Sequence, residues 1–143
     1  MHFASPARCK QKGSQVKVLL VEDQTDIRDV LVIVLKMKEY EVVPFDCALP
    51  ALAWFAVSGQ VMPDVVVTDY NLTCMNGAEL ARDVKGFAPN IPVILITGNL
   101  GDVSDEERGL VDGILRKPFQ PDALTDMIQR VVNSKVKENL QPV

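Results

Sequence analysis

The sequence predicts an α/β protein built on a doubly wound, five-stranded parallel sheet. Short runs of Val, Ile and Leu alternate with segments of helical periodicity along most of the chain, which is typical of consecutive βα units. Several of the strand runs are apolar almost throughout, as expected when helices cover both faces of a sheet. Because crossovers between parallel strands are right-handed, few topologies remain, and the common one has strand order 2-1-3-4-5.

The five strands are expected at residues 16–21, 40–45, 64–68, 92–97 and 113–116. The first, third and fourth are runs rich in Val, Ile and Leu, which favour the interior of a sheet. The second contains Glu41 and Pro44, so it is expected at an edge, where a missing backbone donor is tolerated. The fifth is a short run directly before Lys117-Pro118.

Five helices are expected, around residues 27–35, 49–56, 78–85, 105–110 and 121–132. The first carries an apolar face that includes Ile27, Val30 and Leu35 at helical spacing. Pro50 is tolerated in the first turn of the second helix, and Gly59 follows its end. The segment 101–112 is polar and weakly periodic, so it predicts only a brief fourth helix. The last helix is expected to end near residue 132.

The length and charge of the chain limit its function class. A chain of 143 residues fits one domain, expected at 16–132 between a disordered leader (1–15) and a short polar tail (133–143). The formal net charge of −4 argues against non-specific binding to nucleic acid or to a membrane surface. The sequence has no apolar run of about 18 residues, as a membrane span needs, and the leader lacks the apolar region of a secretory signal.

The cysteines and the single histidine exclude several chemistries. Cys9, Cys47 and Cys74 are odd in number, far apart in the sequence and without a CxxC pair. This pattern favours free thiols in a reducing cytoplasm over a disulfide framework or a zinc site. His2 is the only histidine, which leaves little material for Ser-His or Cys-His catalysis.

Residues with functional side chains follow or end four of the predicted strands. Glu22 and Asp23 follow the first strand, Asp69 follows the third, Thr97 ends the fourth and Lys117 follows the fifth. In an open α/β sheet, ligands bind at the carboxyl ends of the strands. We therefore expect these five residues to share one site.

Three neighbouring carboxylates repel one another unless a cation joins them. Hard oxygen ligands suit Mg²⁺, which accepts carboxylates, waters and phosphate oxygens, so Glu22, Asp23 and Asp69 predict a magnesium site. Taken alone, Glu22-Asp23 could equally cap the helix that begins near Thr25, and Asp69 could form a turn with its own backbone. The capping interpretation does not explain Asp69.

The same residues also suggest phosphoryl chemistry. Asp69 can act as a carboxylate nucleophile for a phosphoryl group. The Thr97 hydroxyl and the Lys117 ammonium could then neutralise phosphoryl oxygens. Alone, Thr97 is a common strand-end hydroxyl and Lys117 a solvated charge, but the five residues at four strand ends form a more specific pattern.

Four motifs occur in a characteristic order along the chain. They are VLLVED at 18–23, the D-x-N-x₅-G stretch at 69–77, ITG at 96–98 and KPF at 117–119. As an ordered set they are specific, although each alone is weak. Over residues 16–132 the chain resembles the receiver domain of the two-component response regulators, which implies a flavodoxin-like fold.

The resemblance implies that Asp69 accepts a phosphoryl group from a phosphohistidine on a sensor histidine kinase or a histidine phosphotransfer protein, as part of a phosphorelay. It implies that Mg²⁺ is held by Glu22, Asp23, Asp69 and the backbone carbonyl of Asn71. Thr97 would be the hydroxyl that moves to the phosphoryl group. Lys117 would pair with it, and the Lys117-Pro118 peptide would be cis.

The resemblance also sets expectations about signalling. The phosphorylated chain would act in the cytoplasm by binding a downstream protein that the sequence does not identify. It would make no direct contact with nucleic acid or membrane. It would catalyse no turnover beyond its own phosphorylation and dephosphorylation. A homodimer is compatible with this role. Ile114 occupies the position where the family usually has an aromatic switch residue, and the segment from Thr97 to Lys117 is short. We therefore expect a short or shifted fourth helix and output through another surface or an ordering change.

Two other interpretations use the same residues. Residues 69–73 (DYNLT) nearly match the D-x-D-x-T nucleophile motif of haloacid-dehalogenase-type phosphatases, but Asn71 cannot serve as the general acid, and Glu22-Asp23 lies in the wrong order for that family. A pseudo-receiver that binds partners without being phosphorylated is favoured only by the altered switch region.

Overall fold

The computed structural model describes residues 15–57 and 59–140, with side chains described up to residue 136. Its five strands form one parallel sheet in the order β2-β1-β3-β4-β5, which confirms the predicted topology. The strands are β1 Lys17–Val21, β2 Glu41–Phe45, β3 Val65–Asp69, β4 Val93–Thr97 and β5 Gly113–Arg116. β2 lies at an edge, as its Glu and Pro predict.

Five α-helices connect and follow the strands. They are α1 Thr25–Met37, α2 Ala48–Ala56, α3 Gly77–Phe87, α4 Asp105–Arg108 and α5 Pro121–Leu140, with a 3₁₀ turn at Leu100–Asp102. None of the described helices combines the length and apolarity that crossing a membrane requires. Of the disordered leader predicted at 1–15, residues 1–14 lie outside the described residues, as do residues 141–143 of the predicted tail. The domain limits stay a prediction.

The sheet is covered by an apolar core on each face. On one face α1 and α5 pack on alternate strand residues that include Leu20, Val67 and Ile94. On the other face α2 and α3 pack on the intervening residues, such as Leu19 and Val66. Because successive strand residues point to opposite faces, strands that are apolar throughout supply both cores.

The fourth helix is short, as the polar segment predicts. α4 has four residues, and Ser104 caps it by accepting a hydrogen bond from the Glu107 N–H at 3.1 Å. In return, the Glu107 carboxylate accepts from the Ser104 N–H at 3.0 Å. This reciprocal capping box satisfies two backbone donors, and the next residues after α4, from Gly109 on, lead to β5.

The prediction that the last helix ends near residue 132 is wrong. α5 continues to Leu140, because residues 133–140 contain no Gly or Pro that would stop a helix. Val131 and Val132 are buried, and the Lys135 ammonium lies 3.5 Å from the Asp112 carboxylate. The polar residues 133–140 therefore continue α5.

Asp112 ties four elements together just before β5. Its carboxylate accepts from the Val93 N–H at 2.8 Å and from the Lys85 ammonium at 2.7 Å, and it also pairs with Lys135 on α5. Its burial pushes the pKa of Asp112 up, but the hydrogen bonds from Lys85 and Val93 outweigh burial and lower the pKa. The ionised carboxylate is therefore the form that stabilises the fold.

Asp112→Asn is expected to lower the free energy of unfolding at pH 7 by about 1–2 kcal/mol, because charge-assisted hydrogen bonds are lost. A lowered folded-state pKa means that the stabilisation is present above the ordinary carboxyl pKa and is lost as pH falls through the folded pKa. Urea unfolding of both proteins at neutral and acid pH checks this. Asp29→Asn, at an exposed position on α1, is the control. An equal difference at both pH values would contradict the assignment.

Candidate functional site

The predicted acidic residues meet at the carboxyl edge of the sheet. Val21 pairs with Thr68 across β1 and β3, so the residues that follow them, Glu22 and Asp69, lie side by side. One carboxylate oxygen from each of Glu22, Asp23 and Asp69 lies within 4.8 Å of the others. The structure therefore brings together the three acids that the sequence placed at two strand ends.

Glu22 is the most deeply buried of these acids, with 1% of its surface exposed. Its Oε2 accepts a hydrogen bond from the Gln24 N–H at 3.1 Å, whereas its buried Oε1 has no hydrogen-bond partner among the described residues. Burial raises the pKa of Glu22, and the charges of Asp69 and Asp23 raise this pKa further. The hydrogen bond from Gln24 and the charge of Lys117 lower it, but the net shift is upward. The site thus holds an acceptor oxygen that lacks a donor.

Lys117 supplies the positive charge that faces these acids. Its Nζ lies 2.7 Å from Asp69 Oδ1 and 4.0 Å from Glu22 Oε1. Its backbone N–H donates to the Thr97 carbonyl at 2.8 Å, which holds the start of the β5–α5 loop against the end of β4. The peptide between Lys117 and Pro118 is cis, as expected.

Thr97 and Asn71 occupy the same edge in different ways. The buried Thr97 hydroxyl donates to the Asn99 carbonyl at 3.1 Å and accepts from the Asn99 N–H at 3.2 Å. Its hydroxyl is thus engaged by the loop after β4. Asn71 is exposed, two residues beyond Asp69 in the β3–α3 loop. Asp69, in contrast, is 6% exposed and faces Lys117.

Two contacts that hold the Glu22-Asp23 segment between β1 and α1 could not be predicted from sequence. Arg28 donates from Nη1 to the Glu22 carbonyl at 2.9 Å, which holds the turn between β1 and α1. Thr73 donates from Oγ1 to Asp23 Oδ2 at 3.1 Å. Both link residues whose relative positions depend on loop geometry, so periodicity carries no signal for them. Neither Glu22 nor Asp23 is the N-cap of α1, which is Gln24 and has no side-chain cap hydrogen bond.

Gly77, the last residue of the D-x-N-x₅-G stretch, allows the loop between β3 and α3 to close. Its N–H donates to the Tyr70 carbonyl at 2.7 Å. A Cβ at this position would clash with the Asp69 carbonyl oxygen and with the Leu95 side chain. Only glycine therefore permits this close approach of α3 to the end of β3.

Tyr70 connects the residue next to Asp69 with α4. Its hydroxyl donates to the Glu107 carboxylate at 2.9 Å and lies 3.2 Å from the Asp102 carbonyl. Glu107 also accepts from the Asn76 amide at 3.3 Å, so it joins the caps of α3 and α4. Burial raises the pKa of Tyr70, and the Glu107 carboxylate raises this pKa further. The S-x-x-E capping pattern at 104–107 was the available sequence signal for part of this network.

The donor set fits a hard divalent cation. Three carboxylates with one oxygen each in a cluster of 4.8 Å match the oxygen ligands that Mg²⁺ prefers. Glu22 Oε1 is buried and has no hydrogen-bond partner among the described residues, with Lys117 Nζ 4.0 Å away. A bound cation would satisfy this acceptor, and buried acceptors without a hydrogen bond are costly. Lys117 balances one of the three negative charges, which leaves room for further positive charge.

Comparisons with known proteins identify the family. The sequence model of the response regulator receiver domain matches residues 18–129. The chain is 35% identical over 119 residues to the probable transcriptional regulator ycf27 of Guillardia theta, covering 81% of this chain and 45% of that protein. It is 28% identical over 123 residues to the chemotaxis protein CheY1 of Helicobacter pylori, covering 83% of this chain and 98% of that protein.

A solved structure shows the same architecture. The response regulator protein TrrA from Thermotoga maritima, in complex with Mg²⁺-BeF, superposes with a TM-score of 0.73 at 26% identity and covers 80% of this chain and 97% of that one. The chain spans less than half the length of ycf27 and nearly the whole of CheY1. With its strand order, helices and matched motifs, the chain belongs to the response regulator receiver domain family of two-component signal transduction.

Proposed function

We propose that this chain is a phosphoacceptor that takes a phosphoryl group onto Asp69 from a phosphohistidine of a sensor histidine kinase or a histidine phosphotransfer protein. The observation that carries this proposal is the 2.7 Å contact between Lys117 Nζ and Asp69 Oδ1 beside two further carboxylates. A lone structural ion pair would not need those additional acids. The phosphorylated form then signals by binding another protein, without substrate turnover.

The residues around Asp69 suit phosphoryl transfer. A carboxylate oxygen of Asp69 attacks the phosphorus, the P–N bond to the donor histidine breaks, and an acyl phosphate forms. Lys117 is placed to neutralise charge on the transferred group. Thr97 would exchange its hydrogen bond with Asn99 for one to a phosphoryl oxygen.

Glu22, Asp23, Asp69 and the Asn71 carbonyl are the residues that would hold Mg²⁺. When bound, the ion supplies positive charge against the phosphoryl oxygens and the carboxylates. The complex of TrrA with Mg²⁺-BeF supports this assignment by relationship. Within this chain, the support is the buried Oε1 of Glu22, which has no hydrogen-bond partner among the described residues.

An apolar groove beside Lys117 supports docking of a phosphodonor. The groove, of about 450 Å³, lies between α1 and the β5–α5 loop. Its wall includes Ile27, Val34, Lys117, Pro118 and Phe119, together with Val30, which is 58% exposed although its spacing placed it on the apolar face of α1. An apolar helix face of a donor protein would cover this surface and bring its phosphohistidine toward Asp69.

Tyr70 and Glu107 give the phosphorylated state a route to α4. Tyr70 follows Asp69 directly, and its hydroxyl holds Glu107 at 2.9 Å. Glu107 in turn caps α4 through Ser104. Because Ile114 offers no aromatic switch, we assign the transmission role to this hydrogen-bond chain. A shift of the Asp69 loop would then reorder the 100–112 segment.

The alternatives account for fewer observations. A haloacid-dehalogenase-type phosphatase would need an acid where Asn71 stands, and the family match over residues 18–129 is to receiver domains. A pseudo-receiver would not require Lys117 to face Asp69 at 2.7 Å. Both remain distinguishable by experiment.

Incubation with Mg²⁺ and acetyl phosphate is expected to add one phosphoryl group, detected by intact mass. Asp69→Asn is expected to abolish the adduct, because an amide oxygen is a poor nucleophile. Asp64→Asn, at the other end of β3, is the control that keeps the adduct. Absence of any adduct at high Mg²⁺ would favour the pseudo-receiver, and continuous hydrolysis of a small phosphate ester would favour a phosphatase.

Glu22→Gln is expected to raise the thermal unfolding midpoint of the metal-free protein at pH 7, because it removes a buried charge next to Asp69. Since the folded-state pKa of Glu22 is raised, the destabilisation by wild-type Glu22 declines as pH falls below that pKa. It is gone below the ordinary carboxyl pKa, where the advantage of the variant disappears. The variant is expected to bind Mg²⁺ at least about tenfold more weakly in a calorimetric titration. Glu41→Gln, at an exposed position on β2, is the matched control. Unchanged Mg²⁺ affinity in Glu22→Gln would remove Glu22 from the metal site.

Tyr70→Phe is expected to leave the Asp69 adduct intact but to uncouple it from α4. In the wild type, BeF₃⁻ with Mg²⁺ should change amide hydrogen exchange in residues 100–112, and in the variant this change should be largely lost. Tyr40→Phe is the matched control, because it removes a 2.9 Å hydrogen bond that the Tyr40 hydroxyl accepts from the Gln129 amide, outside this network. An equal exchange response in Tyr70→Phe would exclude this route.

A further inference from the structure

We propose that Cys47 and Cys74 form a reversible disulfide under peroxide, and that this bond weakens Mg²⁺ binding at the acidic site. Their sulfur atoms lie 4.0 Å apart, and both thiols are free. The two residues are 27 positions apart in sequence, so sequence alone predicted separate thiols. The regulatory half of the proposal rests on the proposed function, and the disulfide itself does not.

The sheet topology explains how the thiols meet. Cys47 is the N-cap of α2, just after β2, and Cys74 lies in the loop after β3. β1 runs between β2 and β3, and Glu22-Asp23 follow its last residue. A bond between the two cysteines would therefore join the loops on either side of the strand that carries the acids.

The geometry requires a modest movement. A disulfide brings two sulfur atoms to about 2 Å, so the pair must close half of its present separation. Cys74 is exposed and Cys47 is partly buried, so the proposal assigns the required movement to the loop of Cys74. Cys74 is the thiol that solvent peroxide can reach, and Cys47 is placed to attack the oxidised sulfur. The hydrogen bond with Cys47 raises the pKa of Cys74, so we expect the oxidation to be slower than that of an ordinary thiol at neutral pH and to speed up as pH rises.

The reaction balances with hydrogen peroxide as the oxidant. The Cys74 thiolate attacks a peroxide oxygen and the O–O bond breaks. The released hydroxide takes up the thiol proton and leaves as water, and Cys74 becomes a sulfenic acid. The Cys47 thiol then attacks this sulfur, the S–S bond forms, the S–O bond breaks, and a second water leaves. Two electrons pass from the two sulfurs to the peroxide, and a dithiol reductant reverses the bond.

The disulfide would act through Thr73. This neighbour of Cys74 donates its hydroxyl hydrogen bond to Asp23 Oδ2 at 3.1 Å. Pulling Cys74 toward Cys47 constrains the loop that carries both Thr73 and Asn71. The oxidised loop is then less able to adjust its contacts with Asp23 when a cation binds, and weaker Mg²⁺ binding follows.

The bond is tested in the Cys9→Ser protein, so that the remaining cysteine outside the described residues cannot take part. After peroxide treatment, cleavage before aspartates separates peptides 46–63 and 69–82, which carry one cysteine each. We expect these two peptides to be linked, with a mass two hydrogens below the sum of the separate peptides. The linked pair should separate after treatment with dithiothreitol. Cys74→Ser is the control that should give no link. Failure to find the linked peptides would overturn the proposal.

The consequence is tested by calorimetric titration of reduced and oxidised Cys9→Ser protein with MgCl₂. Oxidation is expected to weaken Mg²⁺ binding by about tenfold, and peroxide should leave the affinity of Cys9→Ser/Cys74→Ser unchanged. Equal affinities in a fully linked sample would overturn the regulatory role. If the reduced protein itself binds no Mg²⁺, the proposed function fails, whereas the linked peptides still decide whether the disulfide forms.

Discussion

An excess of negative charge at one edge of the sheet is the constraint on which the rest of this structure depends. Glu22, Asp23 and Asp69 share a cluster of 4.8 Å, and Lys117 is the cation that pairs with it among the described residues. Like charges at this distance are unfavourable in a partly buried site. The surrounding elements hold the cluster in place: Arg28 fixes the Glu22 turn, Gly77 admits α3 beside Asp69, and the β4 end holds Lys117. Such an arrangement is costly unless binding of a cation or transfer of a group makes use of it.

The fold and the acidic site could be predicted from sequence because both follow from short-range patterns. Apolar runs give strands, right-handed crossovers give their order, and residues that follow parallel strands must meet at one edge. The predicted end of α5 was wrong, because a polar sequence such as 133–140 does not stop a helix when Lys135 forms an ion pair with Asp112. The 4.0 Å separation of Cys47 and Cys74 and the bond from Tyr70 to Glu107 could not be predicted, since both depend on how loops cross the sheet edge.

The short α4 and the Tyr70 network form one connected region. With Ile114 on β5 there is no aromatic ring at that position to change its packing, and the four residues of α4 offer a small surface. The Glu107 carboxylate accepts hydrogen bonds from the Tyr70 hydroxyl, the Asn76 amide and the Ser104 N–H. A single carboxylate thus connects the loop of Asp69 with the caps of two helices. The site that would receive the phosphoryl group and the segment that would respond to it are therefore linked through Tyr70.

The most direct test of this account is a crystal structure of the protein soaked with Mn²⁺, which stands in for Mg²⁺ and gives an anomalous signal. The account predicts one strong anomalous peak between Glu22 Oε1, Asp23 and Asp69, with the Glu22 oxygen drawn into its coordination shell. A peak elsewhere with none among these three carboxylates, in crystals at saturating Mn²⁺ and neutral pH, would contradict it. In that case the acidic cluster would be an unusual structural feature without a metal.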